Sequence, residues 1–349
     1  SPWLSLHSME ASVPVVNVSA LVSGESGEAR AQCVRAVARA AETAGVFHVI
    51  GHAVEPHLID AFRREALAFF RLSSEEKKRV KRSAETSRGF FDDELTKQRR
   101  DWKEAFDVGK QNGTFEGRSE VDGFNQWPSN PPGFEPAVRA YFEAVERLAY
   151  SILLALAESL DLAENIFADL PQSHTSYLRM NHYPLCPEPE SHLAIERHTD
   201  AGLVTVLLHD PVPSLQVWRP ASGTDEAGGS WRIVPPLADA EAGHEPYFTI
   251  HVADMLQVIS NDRFVSPLHR VLAQRSSERF SAPFFLNPPY ELDCTPAPGA
   301  GEEPHYAPLN WGEFRRRRFE GDFADNGVET QISGWRRRGA PSMRHLQPH

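Results

Sequence analysis

The chain has 349 residues, 41% hydrophobic and 24% charged, a composition that fits a water-soluble globular enzyme and excludes a disordered, collagenous or disulfide-scaffold protein. A formal net charge of −12 argues against nucleic acid as a partner, because phosphate binding needs a basic surface. No uncharged apolar stretch approaches the roughly 18 residues of a membrane-spanning helix, and Cys33, Cys186 and Cys294 lie far apart with no CxxC pair, which suits a reducing, cytoplasmic setting.

Residues 1–12 reach their first methionine only at Met9 and have no basic segment, so they read as a tag or disordered leader outside the fold. Residues 13–133 read as an N-terminal α/β region. It opens on a short edge strand, Val13 to Val18, carrying Pro14. Cys33, Val34, Val37, Ala38 and Ala41 then recur at helical spacing between Glu28 and Thr43, with Gly45 as the cap. A strand at Val46 to Ile50 follows, then a helix marked by Leu58, Ile59, Phe62, Ala66, Phe69 and Phe70, and a capping box formed by Ser73 and Glu76. Residues 84–133 show little periodicity and read mostly as ordered loop with short strands.

Residues 134–165 read as a scaffold helix, because Val138, Tyr141, Phe142, Val145, Leu148, Ile152, Leu153 and Leu156 write a stripe broad enough to cover a sheet. From 166 to 290 the texture changes to short runs, SYLRMNHYP, LVTVLLHD, LQVW, WRIVP, YFTIHV, MLQVIS and RFSAPFFLNP, separated by turn residues. Many short strands at regular spacing predict a sandwich or barrel. Residues 291–349 form a Pro- and Gly-rich extension with one helix at Trp311 to Phe323.

The sharpest chemical pattern is His198-Thr199-Asp200 with His269 in a later run. Residues two apart on an extended strand face one side, so His198 and Asp200 can reach one metal while His269 arrives from a distant strand. Two imidazoles and one carboxylate form a facial set that leaves octahedral positions open, the arrangement of non-haem Fe(II) oxygenases. Arg279 and Ser281 are likewise two apart on an apolar run, and a guanidinium beside a hydroxyl is a receptor for a carboxylate. His182, His192, His209 and His251 read as structural, Cys186 as a buried small hydrophobe, Asp254 and Asn261-Asp262 as turn residues, and the basic clusters Arg315–Arg318 and Arg336–Arg338 as solvated helix faces.

The stretches NHYPLCPEPE, HTDAGLVTVLLHD, LQVW, ADMLQVISNDRFVSPLHRV and ERFSAPFFLNPP resemble the isopenicillin N synthase-like, plant-type family of 2-oxoglutarate- and Fe(II)-dependent dioxygenases. So do VPVVNVSAL, AGVFHVIGH, DWKEAFDVG and NWGEFRRRRFEGDF, so that the resemblance spans residues 13 to 335. It implies a mainly β fold with helices, a double-stranded β-helix (jelly roll) flanked by N-terminal and long scaffold helices. It implies Fe(II) held by His198, Asp200 and His269, 2-oxoglutarate held by Arg279 and Ser281, and Asn181 and Tyr183 lining the co-substrate pocket. Strand alternation adds Arg179 toward the same chamber as a substrate contact, with a substrate group or a nearby protein acid as its partner. Phe285 and Asn287 continue the face of Arg279 and Ser281 and form a wall near the metal. Phe90, Phe91, Phe106 and Trp127 are candidate determinants of a flat, ring-bearing substrate.

The expected reaction oxidises a small organic metabolite by hydroxylation, desaturation or demethylation, releasing succinate and CO2, with ascorbate stimulatory and the protein a monomer. Three alternatives stand beside it: an iron oxidase of the same fold that does not use 2-oxoglutarate, a zinc hydrolase, since the same ligands suit Zn²⁺, and a non-enzymatic jelly-roll binding module.

Overall fold

Between Glu28 and Thr43 the residues spaced at helical period are buried along one face of a helix. The computed structural model describes residues 13–96, 99–110, 123–163, 166–220, 228–237, 246–323 and 330–341; residues 1–12 lie outside them. β1 (Val15–Asn17) and the single turn α1 (Ser19–Val22) precede that helix, α2 (Glu28–Thr43). Gly45 closes it at φ +65°, where an added Cβ would lie 2.1 Å from the Val265 carbonyl oxygen, so glycine alone fits there. β2 (Val46–Ile50) pairs in parallel with β1 at the sheet's edge. α3 (Pro56–Phe70) buries Ile59, Phe62, Ala66, Phe69 and Phe70, and α4 (Ser74–Lys78) opens on the Ser73/Glu76 capping box.

The region expected to be mostly loop contributes more than that. β3 (Gly89–Phe91) and the six-residue β6 (Glu104–Gly109) join the main sheet, with the small hairpin β4 (Leu95–Thr96) and β5 (Arg99–Arg100) between them. Five of the six β6 residues are buried, so the strand is covered on both faces and shows no alternation to read. α5 (Phe134–Ser159), 26 residues long, buries the predicted stripe within the same apolar cluster as α2, α3 and the outward-facing side chains of the large sheet. A short turn, α6 (Leu170–Ser173), leads into the strand region.

There follow β7 (Tyr177–Tyr183), β8 (Leu193–His198), β9 (Val204–His209), β10 (Leu215–Pro220), β11 (Gly229–Ile233) and β12 (Phe248–Val252). The run MLQVIS, expected as a strand, is instead a helix, α7 (Asp254–Ile259): all six of its residues are buried, so neither period could show. β13 (His269–Leu272), β14 (Arg279–Leu286), the short pair β15 (Asp293–Cys294) and β16 (Leu309–Asn310), and α8 (Trp311–Phe323) complete the order.

The strands form an eight-stranded sheet, β1-β2-β12-β9-β14-β7-β6-β3, and a four-stranded one, β11-β10-β13-β8. From β7 onward the chain passes back and forth between them: β7 large, β8 small, β9 large, β10 and β11 small, β12 large, β13 small, β14 large. This is the winding of a double-stranded β-helix. Tyr183 and Leu207 of the large sheet pack against Ala194, Leu215, Val217 and Val271 of the small one, so the two inner faces share one apolar interior. Among the described residues no helix is long and apolar enough to cross a membrane.

Candidate metal and co-substrate site

The small sheet assembles the triad. β8 and β13 pair so that His198 lies opposite His269, and Asp200 follows two residues after β8 ends. The Nε2 atoms of His198 and His269 stand 3.7 and 3.6 Å from Asp200 Oδ1, and one ligand atom from each residue lies within 4.8 Å of the others. His198 Nδ1 is 2.8 Å from the Glu196 carbonyl and His269 Nδ1 is 3.0 Å from that of Pro267. Each Nδ1–H is therefore donated to the backbone and each Nε2 lone pair is turned to the centre, the tautomer a metal requires. Burial, then the neighbouring His269, holds His198 well below the usual histidine range and keeps its imidazole neutral.

Asp200 is braced by two direct hydrogen bonds, and a third ties its neighbour Thr199 to the same support. Thr205 donates to its Oδ2 at 2.6 Å, its carbonyl accepts from Asp254 N at 2.8 Å, and Thr199 donates to Asp254 Oδ2 at 3.0 Å. Asp254, expected as a turn residue, is thus the first residue of α7 and a buried brace for the ligand loop. Gly202 lets that loop approach β14, since a Cβ there would meet Asn287 Oδ1 at 2.1 Å.

The large sheet supplies the second half of the chamber. Tyr177, Arg179, Asn181 and Tyr183 of β7 all line it, as do Arg279, Ser281, Pro283 and Phe285 of β14 and Asn287 just beyond, which is the alternation expected of both strands. Arg279 is 2% exposed, and its Nε and Nη1 have no hydrogen-bond acceptor. Its guanidinium stands 4.9 Å from the centre of the Tyr183 ring; Tyr183 Oη and Ser281 Oγ are 2.9 Å apart, and Asn181 Nδ2 donates to Ser281 Oγ at 3.4 Å. A buried cation with orphaned donors is costly without an anion, so this end of the chamber is built for a carboxylate. His209, on β9 behind it, is pushed down to about 3 by burial and by Arg279, and is structural as expected.

On the far side one expectation narrows and another changes. Arg179 faces the chamber, but protein acids occupy it: Nε and Nη2 donate to the two Asp107 carboxylate oxygens at 2.8 Å each and Nη1 donates to Glu94 at 2.9 Å. Lys103 continues the network to Glu94 at 2.6 Å and Asp101 at 3.0 Å. Burial opposes charge here, yet Arg179 and Lys103 hold the Glu94 carboxyl far below its usual range. Phe106 is not in the chamber at all. It sits opposite Met180 in the β6–β7 ladder, on the face that meets the helices, against Phe69 and Phe134. Phe90 packs on Phe69 and Trp127 on Phe134, in that same layer, while Phe91 lies 4.9 Å from the Arg179 guanidinium.

The structure also brings in residues that sequence reasoning set aside. His251 lines the chamber on β12, its ring centre 4.6 Å from that of His269 and its Nδ1 3.7 Å from Asp200 Oδ2. From α8, Trp311, Arg315 and Arg318 line it too, whereas Arg317 makes the expected exposed i, i+4 pair with Glu313. Arg318 donates to the Thr199 carbonyl at 2.8 Å and reaches Asp254 at 3.4 Å, tying α8 to the ligand loop. The spacing 311, 315, 318 is one helix face, a signal present in the sequence but masked by the arginines around it.

Comparison with known proteins agrees with this architecture. Residues 13–130 match a family described as the N-terminal domain of non-haem dioxygenases in morphine synthesis, and residues 174–288 match the 2OG-Fe(II) oxygenase superfamily. The chain is 32% identical over 308 residues to the 2-oxoglutarate-Fe(II) type oxidoreductase hxnY of Emericella nidulans, covering 82% of this chain and 83% of the relative. It is 31% identical to naringenin,2-oxoglutarate 3-dioxygenase of Hordeum vulgare, over 89% of this chain and 77% of that protein. The solved structure of JOX2 in complex with 2OG, Fe and JA superposes with a TM-score of 0.70 at 27% identity, covering 87% of this chain and 84% of that one.

Proposed function

The chain belongs to the 2-oxoglutarate- and Fe(II)-dependent oxygenase superfamily, and from that premise we propose that His198, Asp200 and His269 hold the iron while Arg279, Ser281, Tyr183 and Asn181 hold 2-oxoglutarate. The protein is a dioxygenase acting on a small molecule. In its hydroxylation form the reaction is R–H + O2 + 2-oxoglutarate → R–OH + succinate + CO2, one oxygen atom entering each of R–OH and succinate. The iron, when bound, supplies the oxygen chemistry. The chain's own residues supply the two turned imidazoles, one braced carboxylate, an anion receptor and an apolar interior that excludes water.

The observation that carries this reading is Arg279: a guanidinium buried without an acceptor, within a hydroxyl-lined recess of the chamber that the triad also lines. The same-fold oxidase is the weaker reading, because the relatives named above are described as 2-oxoglutarate enzymes. In the same proposal residues 166–290 are the catalytic core, residues 13–133 and 291–349 shape the substrate end, ascorbate stimulates turnover, and the protein works as a cytoplasmic monomer. The test is incubation with Fe(II), ascorbate and 2-oxoglutarate across a metabolite library, reading succinate and a substrate-dependent mass gain. Turnover without succinate would exclude the co-substrate assignment.

A further inference from the structure

Five cations line the chamber: Lys103, Arg179, Arg279, Arg315 and Arg318. Four are accounted for. Lys103 lies between Glu94 and Asp101, Arg179 between Asp107 and Glu94, and Arg318 against Asp254 and the Thr199 carbonyl, while Arg279 is assigned to 2-oxoglutarate. Arg315 has no acid partner among the described residues, and the contact it does make is with the ring of Tyr177, whose centre is 5.5 Å from its guanidinium. We propose, resting on the functional reading above, that the primary substrate is a ring-bearing monocarboxylic acid and that Arg315 receives its carboxylate.

The geometry around Arg315 repeats that of the co-substrate receptor. Tyr177 and Tyr183 end the same face of β7: Arg279 stands 4.9 Å from the Tyr183 ring, and Arg315, at 5.5 Å, shares the Tyr177 ring with Arg88 at 5.0 Å and the acid-paired Arg179 at 5.8 Å. Six residue steps of extended strand lead from one tyrosine to the other, about 20 Å by strand rise. That span has room for 2-oxoglutarate, the metal and a substrate one or two rings long, in that order. Flat walls flank the Arg315 end. The Tyr177 and Phe285 rings lie 4.7 Å apart at 30°, and Trp311, fixed by its Nε1 donating to Thr175 Oγ1 at 2.9 Å, sits one helical turn before Arg315. An apolar, aromatic recess with a single uncompensated cation at its rim selects a flat body bearing one negative charge, because the planar fork can take a carboxylate through two parallel bonds.

The experiment compares acids with uncharged isosteres. The full chain, loaded with Fe(II) and 2-oxoglutarate under anaerobic conditions, is titrated with phenylacetate, 2-naphthylacetate and cyclohexylacetate and with the three matching primary amides, following tryptophan fluorescence. At least one acid should bind ten-fold or more tighter than its amide. Arg315→Met and Arg315→Gln should each weaken that acid roughly ten- to a hundred-fold and leave the amide unchanged. Affinity for 2-oxoglutarate and substrate-independent succinate formation should stay at the parent level in both variants, which also reports that the site is folded. Equal affinity for acids and amides, an acid preference that survives both substitutions, or no binding by any acid at millimolar concentration overturns the proposal. Failure of the parent protein to bind 2-oxoglutarate or to form succinate would instead overturn the oxygenase assignment on which it rests.

Discussion

The two ends of β7 solve the same electrostatic problem in different ways. At the Tyr183 end Arg279 is buried and lacks acceptors, with the Tyr183 ring against it and the Ser281 hydroxyl and Asn181 amide lining the same chamber, so the recess has one charge to offer. At the Tyr177 end the nearest strand arginine, Arg179, is neutralised by Asp107 and Glu94, and the open charge comes from a separate helix, α8. A receptor built from adjacent strands is rigid and suits an invariant co-substrate. One borrowed from a distant helix and flanked by loops can change with the substrate without disturbing the metal.

Removing what lies between the two ends should have the largest effect. His198→Ala, Asp200→Ala or His269→Ala should each abolish Fe(II) binding, read by equilibrium dialysis, and turnover, while the thermal midpoint changes little because the walls are apolar. Full activity in any of the three would break the site assignment.

Next is the paired arginine. Arg179→Met leaves Asp107 buried without its ion-pair partner and Glu94 with Lys103 alone, and a broken buried pair costs about 3 to 5 kcal/mol. Urea denaturation should show that loss, and Arg179→Met combined with Asp107→Leu should recover part of it. A fully stable single variant would mean that the network is not closed and that Arg179 is as open as Arg315.

Arg279→Lys separates the ends directly. Losing one charge-assisted bond costs about 1.5 to 3 kcal/mol, roughly ten- to a hundred-fold in affinity. The 2-oxoglutarate requirement should rise by that factor, and the preference among substrates should not move. A parallel change in both would show that the two receptors are coupled.

The smallest effect is a pH dependence at the Tyr183 end. His209 falls from the ordinary 6.5 to about 3 in the fold, so below pH 6.5 the unfolded chain takes up a proton that the native chain refuses. Native stability therefore drops as the pH falls through this window, by about 2 kcal/mol between pH 6.5 and 4.5 from this group. His209→Gln should flatten the acid limb of the urea midpoint over that range and leave the value at pH 7.5 nearly unaltered. An unchanged limb would assign the acid sensitivity to other groups.

Much of this site follows from parity along strands. Arg179, Asn181 and Tyr183, and likewise Arg279, Ser281, Phe285 and Asn287, share a face because side chains alternate, and the structure places each set on the chamber. Parity says which residues go together but not which face is inward. Phe106 shows the limit: its neighbour Asp107 meets Arg179 at the chamber, which sends Phe106 to the helix layer. His251 was set aside for the same reason, since nothing local distinguishes the inner from the outer face of a strand buried on both sides.

What the amino-acid order determined by itself is the chemistry of one pole and its local geometry: the HxD spacing, the Arg-x-Ser pair, the helix periods of α2, α3 and α5, the capping box and the glycine turn at Gly45. These depend on contacts within a few residues or on strict alternation, and both are written locally. Tertiary structure alone decided which arginines remain uncompensated and open. Arg179 is silenced by acids 72 and 85 residues away in the chain, and Arg315 is exposed to the chamber because α8 is docked through Trp311 and Arg318 onto loops more than a hundred residues distant. Charge compensation in a low-dielectric interior is a property of who meets whom in space, and no short-range pattern encodes it.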